Sequence, residues 1–328
     1  MRALRFRNYG KPSVLAVEET AVPRPGADEV IVQVSAAGIN RADVAAVAGA
    51  FKSGTPRTPG RDFAGVIVEG AGAGLEVWGS GESMGINRDG AHAEFVTVPR
   101  DWLVPKPSNL SMAQAAASGV PFIVAYEALV RVGQLRQDET LLITGADGAV
   151  GRAATQIAHR RGARVVGVQR NGNSTGADFT INIQSEVLDF VGLVLETPAM
   201  LEAVKTLTHG AGVDIVLDAV GGDLFEPALR TLRLGGRQIT IASPGKRRVD
   251  FDLVDFYQSA ATLHGVDSTG FTGDHSAGIL NELGVEFESG ALKALPTDEV
   301  LLDRAVEAYE AVQRGTPKRE VLILKRKD

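Results

Sequence analysis

Thr140-Leu141-Leu142-Ile143-Thr144-Gly145-Ala146-Asp147-Gly148-Ala149-Val150-Gly151 sets a short apolar run directly before three closely spaced glycines. The run predicts a buried strand, and the Ala-rich continuation through Gln156 to His159 predicts a helix. A strand that turns through glycines into a helix is the setting in which a dinucleotide pyrophosphate binds. In that reading Gly145 permits the sharp turn, Gly148 lets backbone approach the phosphates, and Gly151 allows the helix to lie close on the strand. The first N–H groups of the helix, around Ala149 and Val150, offer donors and a positive dipole end to the anion. A tight turn with no ligand is the plain alternative. Asp147 is awkward beside a phosphate, and it is expected to point away and cap the helix.

The next strand, Arg164-Val165-Val166-Gly167-Val168, ends on Gln169-Arg170-Asn171. An NAD enzyme commonly places an acid at this strand end to bind the ribose 2′-hydroxyl. None stands here, and the planar fork of Arg170 suits a 2′-phosphate, so NADP(H) is the expected cofactor. The competing role for Arg170 is that of a solvated loop residue. Further strands are expected at Val213–Leu217, Arg237–Ile241 and Thr262–Val266. Strands alternating with helices point to an α/β, doubly wound parallel sheet of Rossmann type. Ligands bind at the carboxyl ends of such strands, which brings Ala219, Val220 and Ser243 into the cofactor set. Lys246-Arg247-Arg248 reads as a solvated face that can also brush phosphates.

Before about Leu110 the texture is different. Short alternating runs at Val30–Val34, Ala64–Val68 and Ala93–Val98 read as strands of a β-rich domain, interrupted by a helix from Asn40 to about Ala48. Ser111 is expected to cap one long helix reaching Val130. A helix near Asp298–Gln313 and a strand at Val321–Leu324 are expected to return to the first domain. The length of 328 residues suits two domains. A net charge of −6 argues against nucleic acid as partner, and the absence of cysteine removes disulfides and thiolate chemistry while fitting a reducing cytoplasm. The N-terminus lacks the apolar core of a signal peptide, and no apolar run is long enough to span a membrane. The five histidines are scattered without metal-ligand spacing.

Several ordered motifs carry a family resemblance: Ala37-Gly38-Ile39-Asn40-Arg41-Ala42-Asp43, Thr58-Pro59-Gly60-Arg61-Asp62-Phe63-Ala64-Gly65-Val66, Asp89-Gly90-Ala91-His92-Ala93-Glu94-Phe95-Val96, the glycine loop, Val216-Leu217-Asp218-Ala219-Val220-Gly221-Gly222 and Leu234-Gly235-Gly236-Arg237. Over nearly its whole length the chain resembles the medium-chain dehydrogenase/reductases, in the zinc-independent quinone oxidoreductase branch. The resemblance implies a GroES-like domain (1–112 and 275–328), a Rossmann NADP(H)-binding domain (113–274), a cleft between them, and homodimers built through the Rossmann sheet edge. Zinc-dependent relatives have Cys where Asn40 stands and a His-Glu pair where Arg61-Asp62 stand, so no catalytic zinc is expected. Relatives that reduce enoyl thioesters carry a proton-donating Tyr where Phe51 stands, and many quinone reductases carry one where Ala45 stands. Val124 replaces a Thr common near the nicotinamide, and Ile183 a Tyr that packs on adenosine. The segment Arg170–Asp178 is shorter than usual and lacks a supporting Lys, so NADPH affinity is expected to be modest.

A quinone takes hydride readily and draws its proton from water, so orientation alone carries much of the catalysis. The expected pocket holds Asn40, Arg61, Phe51 and Phe122. Asn40 has two compatible roles, a hydrogen bond to a carbonyl or the nicotinamide ribose, and helix N-cap. Arg61 either stabilises a developing oxyanion or pairs with Asp43 or Asp62. Phe51 is either core or pocket wall. Three functions are weighed: a quinone reductase, an enone or enoyl reductase, and a non-catalytic nucleotide-binding protein.

Overall fold

The computed structural model of the chain describes residues 1–52, 54–81, 83–170, 175–183 and 197–324. The chain divides into two units, one of Met1–Ile123 with Ser268–Asp328, the other of Val124–Asp267.

In the first unit β1 (Arg2–Phe6) and β2 (Leu15–Glu19) form an antiparallel ribbon. The ten-residue β3 (Glu29–Gly38) pairs antiparallel with both β4 (Asp62–Glu69) and, along its first half, a later strand. Helix α1 (Arg41–Val47) follows β3 directly, so the end of β3 fixes where the helix begins. Next come β5 (Glu76–Ser80), β6 (Phe95–Pro99), which is that second partner of β3, and β7 (Val104–Pro105). Val30, Val32 and Val34 alternate inward onto Phe63, Ile67, Val77 and Val98, a period-2 pattern that buries one face.

The single helix expected after Ser111 is two. Ser111 does cap α2 (Met112–Ala117), accepting from the Gln114 N–H at 3.1 Å. The helix then breaks at Ser118, and α3 (Gly119–Tyr126) starts afresh. The cause is Asp62, whose carboxylate accepts the Val120 N–H at 2.9 and 3.0 Å. A Cβ on residue 119 would collide with that carboxylate, so only glycine fits there. After Tyr126 the chain widens to π-helical turns over Glu127–Val132, closed by the Gly133 N–H on the Ala128 carbonyl at 2.8 Å.

The second unit is a six-stranded sheet of β8 (Thr140–Thr144), β9 (Arg164–Gln169), β10 (Phe179–Asn182), β11 (Val213–Asp218), β12 (Leu232–Thr240) and β13 (Thr262–Gly265). Every pairing is parallel, and the order is β10-β9-β8-β11-β12-β13. Counted from the first strand this is 3-2-1-4-5-6, the Rossmann order, whose direction reverses between β8 and β11. Among the described residues the helices that connect these strands are α4 (Ala149–Arg160), α5 (Thr197–Leu207), α6 (Phe225–Leu229) and α7 (Leu253–Gln258).

The chain then returns to the first unit with α8 (Gly273–Glu288). The helix expected from Asp298 begins only at α9 (Ala305–Arg314), because Thr297–Leu301 forms β14. That strand pairs parallel with β15 (Arg319–Ile323), with Thr297 opposite Arg319, and β15 in turn lies antiparallel beside the end of β3. No helix among the described residues is long and apolar enough to cross a membrane.

Candidate functional site

In the second unit the residues assigned to the cofactor gather at the carboxyl ends of β8, β9, β11 and β12. Gly145 follows β8 with φ +68°, a left-handed conformation that side chains oppose. Gly148 is the N-cap of α4, and no side chain caps this helix, Asp147's included. The expected Asp147 cap is therefore not made; its carbonyl instead accepts Arg152 Nε at 2.9 Å. The leading N–H groups of α4, at Ala149 and Val150, lack helical acceptors by construction and face outward along the helix axis. Gly151 lies so close to the turn that an added Cβ would sit 2.5 Å from the Gly145 carbonyl oxygen and 2.7 Å from Ala146 Cα.

Gln169, at the end of β9, is buried, and its amide donates to Asn182 Oδ1 on β10 at 3.0 Å. Arg170 beside it is exposed. Asn171 lies outside the described residues. Ala219 and Val220 follow β11, and the Val220 side chain approaches Gly145 closely enough to touch a Cβ placed there. Ser243 follows β12, and its hydroxyl donates to the Lys246 carbonyl at 2.7 Å. Lys246 pairs with Asp223.

The first unit contains a buried charge cluster. Asn40 is the N-cap of α1, as expected, but through its backbone: its N–H donates to Asp43 Oδ2 at 2.7 Å. Its carboxamide is otherwise engaged, with Nδ2 donating to Asp62 at 2.8 Å and Oδ1 accepting from Arg319 at 2.9 Å. Arg319 also donates to the Ile39 carbonyl at 2.9 Å and the Ala117 carbonyl at 3.3 Å. Arg61 makes no ion pair with Asp43 or Asp62. It is 2% exposed, and its two terminal nitrogens donate to the Ser268 hydroxyl and carbonyl at 3.2 and 2.6 Å. Its charge still reaches Asp43.

Burial pushes the Asp43 carboxyl up to about 6, against the pull of the Asn40 N–H and of Arg61 and Arg319. Burial also raises Asp62. His92 is driven down to about 4 by burial, and its neutral ring lies between the Gly38 carbonyl at 3.3 Å and the Tyr309 hydroxyl at 2.8 Å. A carboxyl that binds its proton more tightly when folded contributes stability that is complete below about pH 4 and lost as pH rises through 6. Asp43→Asn is therefore expected to match the native protein near pH 4 and to exceed it by on the order of 3 kcal/mol at pH 7.5, read by urea unfolding. His92 acts in the opposite sense: its contribution is complete above about pH 6.5 and lost as pH falls through 4.

The two expected pocket aromatics differ in burial. Phe51 is 38% exposed. Phe122 is fully buried, with Phe287 edge-on at 4.9 Å, and Phe287 also meets Trp78 edge-on. The residues that sequence reasoning missed are Arg319 and Ser268. Their only sequence signal is a basic residue opening the last strand and a serine in a loop.

Residues 149–279 match the family described as zinc-binding dehydrogenase, and residues 26–108 match the alcohol dehydrogenase GroES-like domain. A zinc-type alcohol dehydrogenase-like protein of Schizosaccharomyces pombe is 32% identical over 99% of this chain and 97% of its own. The chain belongs to the medium-chain dehydrogenase/reductase superfamily. Within it the chain falls in the quinone oxidoreductase-like branch, the rat quinone oxidoreductase being 28% identical over 99% of this chain and 97% of its own. An NAD-dependent alcohol dehydrogenase crystal structure superposes with a TM-score of 0.86 at 28% identity, covering 99% of this chain and all of that one. Membership makes the first unit GroES-like, the second Rossmann-like, and the protein an oxidoreductase.

Proposed function

We propose that this dehydrogenase/reductase is a zinc-independent NADPH-dependent enzyme that passes hydride to quinones or quinone-like carbonyls. The observation that carries the reading is the end of β9, where a ribose-binding acid would stand in an NAD enzyme. The residue is Gln169, neutral, buried and turned onto Asn182, with Arg170 exposed next to it. Gly145, Gly148 and Gly151 and the N-terminus of α4 would hold the pyrophosphate. Arg170, with Asn171, would face the 2′-phosphate, and Ala219, Val220 and Ser243 the nicotinamide half. When bound, the cofactor supplies two electrons and one hydrogen as hydride; one proton from water completes a hydroquinone.

Zinc does not fit the first unit. Asn40 and Asp62 are hydrogen-bonded to each other, Asp62 also takes the Val120 N–H, and the Arg61 guanidinium, bonded to Ser268, is a buried cation. Among the described residues no three His or carboxylate side chains cluster as a metal site would require. The same reading gives a homodimer through the outer edge of β13, near which Leu253, Val254 and Tyr257 expose apolar surface. It also fits a cysteine-free protein of the reducing cytoplasm.

Turnover of NADPH against a panel of 1,4-quinones and α,β-enones tests the substrate class. Hydroquinone as the main product supports the reading; a saturated ketone as the main product replaces it with C=C reduction. Arg170→Ala is expected to raise KM for NADPH by roughly tenfold to a hundredfold, the worth of a charge-assisted phosphate bond, and to leave KM for NADH unchanged.

A further inference from the structure

We propose that Asp218 and Thr144 are positioning residues for the nicotinamide half of the cofactor site, acting by shaping the turn after β11. The inference rests on the nucleotide-binding reading above and gives a role to two residues that the sequence reading left without one.

The two side chains face each other at the point where the sheet order reverses, in register across β8 and β11. Thr144 Oγ1 donates to Asp218 Oδ1 at 2.6 Å and accepts the Ala219 N–H at 3.0 Å. Asp218 Oδ1 also accepts the Val220 N–H at 3.2 Å and the Gly221 N–H at 2.9 Å. Three successive backbone donors of the turn are thus held by two side chains at the strand ends. The turn needs that restraint. Gly221 and Gly222 both adopt left-handed φ, +63° and +55°, and at Gly221 a Cβ would lie 2.6 Å from the Ser243 hydroxyl. Paired glycines carry the largest conformational freedom to be lost, so the turn needs outside donors and acceptors to hold one shape. Ala219, Val220 and Ser243 all belong to the assigned nicotinamide side, and Val220 also abuts Gly145.

One detail makes the role specific. The three bonds that Asp218 accepts all fall on Oδ1, while Oδ2 is buried with no hydrogen-bond partner among the described residues. The turn is therefore held through one carboxylate oxygen. Asparagine can supply that oxygen and place its amide where Oδ2 stood; alanine cannot. Were the carboxylate a base or a counter-ion, asparagine would fail as badly as alanine.

The test is calorimetric titration of the full-length protein with NADPH and, separately, with 2′,5′-ADP, which carries only the adenosine half. Asp218→Ala is expected to weaken NADPH about tenfold or more and leave 2′,5′-ADP within about twofold, with Asp218→Asn restoring most of the loss. Thr144→Val, which keeps shape and loses the bridging hydroxyl, is expected to follow Asp218→Ala in direction and serves if the alanine variant does not fold. Equal weakening of both ligands, or no rescue by asparagine, overturns the positioning role while leaving the cofactor reading standing. If the native protein binds neither ligand, both fall together.

Discussion

Replacing Gly151 with alanine is expected to cost the protein its nucleotide affinity, by about a hundredfold or more, and to lower stability by about 1–3 kcal/mol. The new Cβ would meet the Gly145 oxygen and the Ala146 Cα and carbonyl carbon at 2.5 to 2.8 Å. All three are backbone atoms of the phosphate turn, so no side chain can swing aside. Helix α4 must back away from β8 or the turn must open, and either displaces the donors that face the pyrophosphate. Gly148→Ala is the informative contrast. Gly148 has φ −73°, open to any residue, and its Cβ would lie 3.1 Å from one carbonyl oxygen. Stability should change by about 1 kcal/mol or less, as for other changes at a glycine N-cap. A loss of binding in that variant then reports the ligand's own need for space. Isothermal titration and thermal unfolding of both variants check the pair.

Arg319→Met is expected to destabilise the first unit by about 3–5 kcal/mol, the range seen when one partner of a buried ion pair is removed. Asp43 would keep Arg61 as a nearby cation and Asp62 its hydrogen bonds from Ser80, Asn40 and Val120, while the Ile39 and Ala117 carbonyls and Asn40 Oδ1 would lose their donor. The effect should be smaller below about pH 6 than well above it, because without Arg319 the Asp43 carboxyl takes up a proton more readily and one of the two charges left behind is removed. Urea unfolding at pH 5 and pH 8 reads it; an equal loss at both would show that packing, not charge, is what Arg319 supplies.

Five of the six Rossmann strands were legible as short apolar runs between turn residues, and the fingerprint turn is contiguous, whereas β10, mostly exposed, carries no such signal. Gly145 and Gly151 could be read for what they do because the steric demand on each arises within a few residues. The charge cluster was not legible. Asn40, Asp62 and Arg319 meet from three distant segments, and a serine-free stretch of polar residues around Arg319 has no periodicity to mark it. The helix break at Gly119 is hidden for the same reason, since Asp62 imposes it from β4. Thr297–Leu301 reads as a helix start by its acids, yet it becomes an edge strand because β15 offers a parallel partner. Phe122 follows a proline, and nothing nearby in the sequence announces its ring contact with Phe287.

Fluorescence titration of the purified protein with NADPH and, in parallel, NADH reads the cofactor preference directly. Saturable binding of NADPH about tenfold or more tighter than NADH, lost in Arg170→Ala, is the expected result of an NADPH-dependent reductase. Binding of neither nucleotide would contradict that reading and leave a member of this superfamily that no longer works as a reductase.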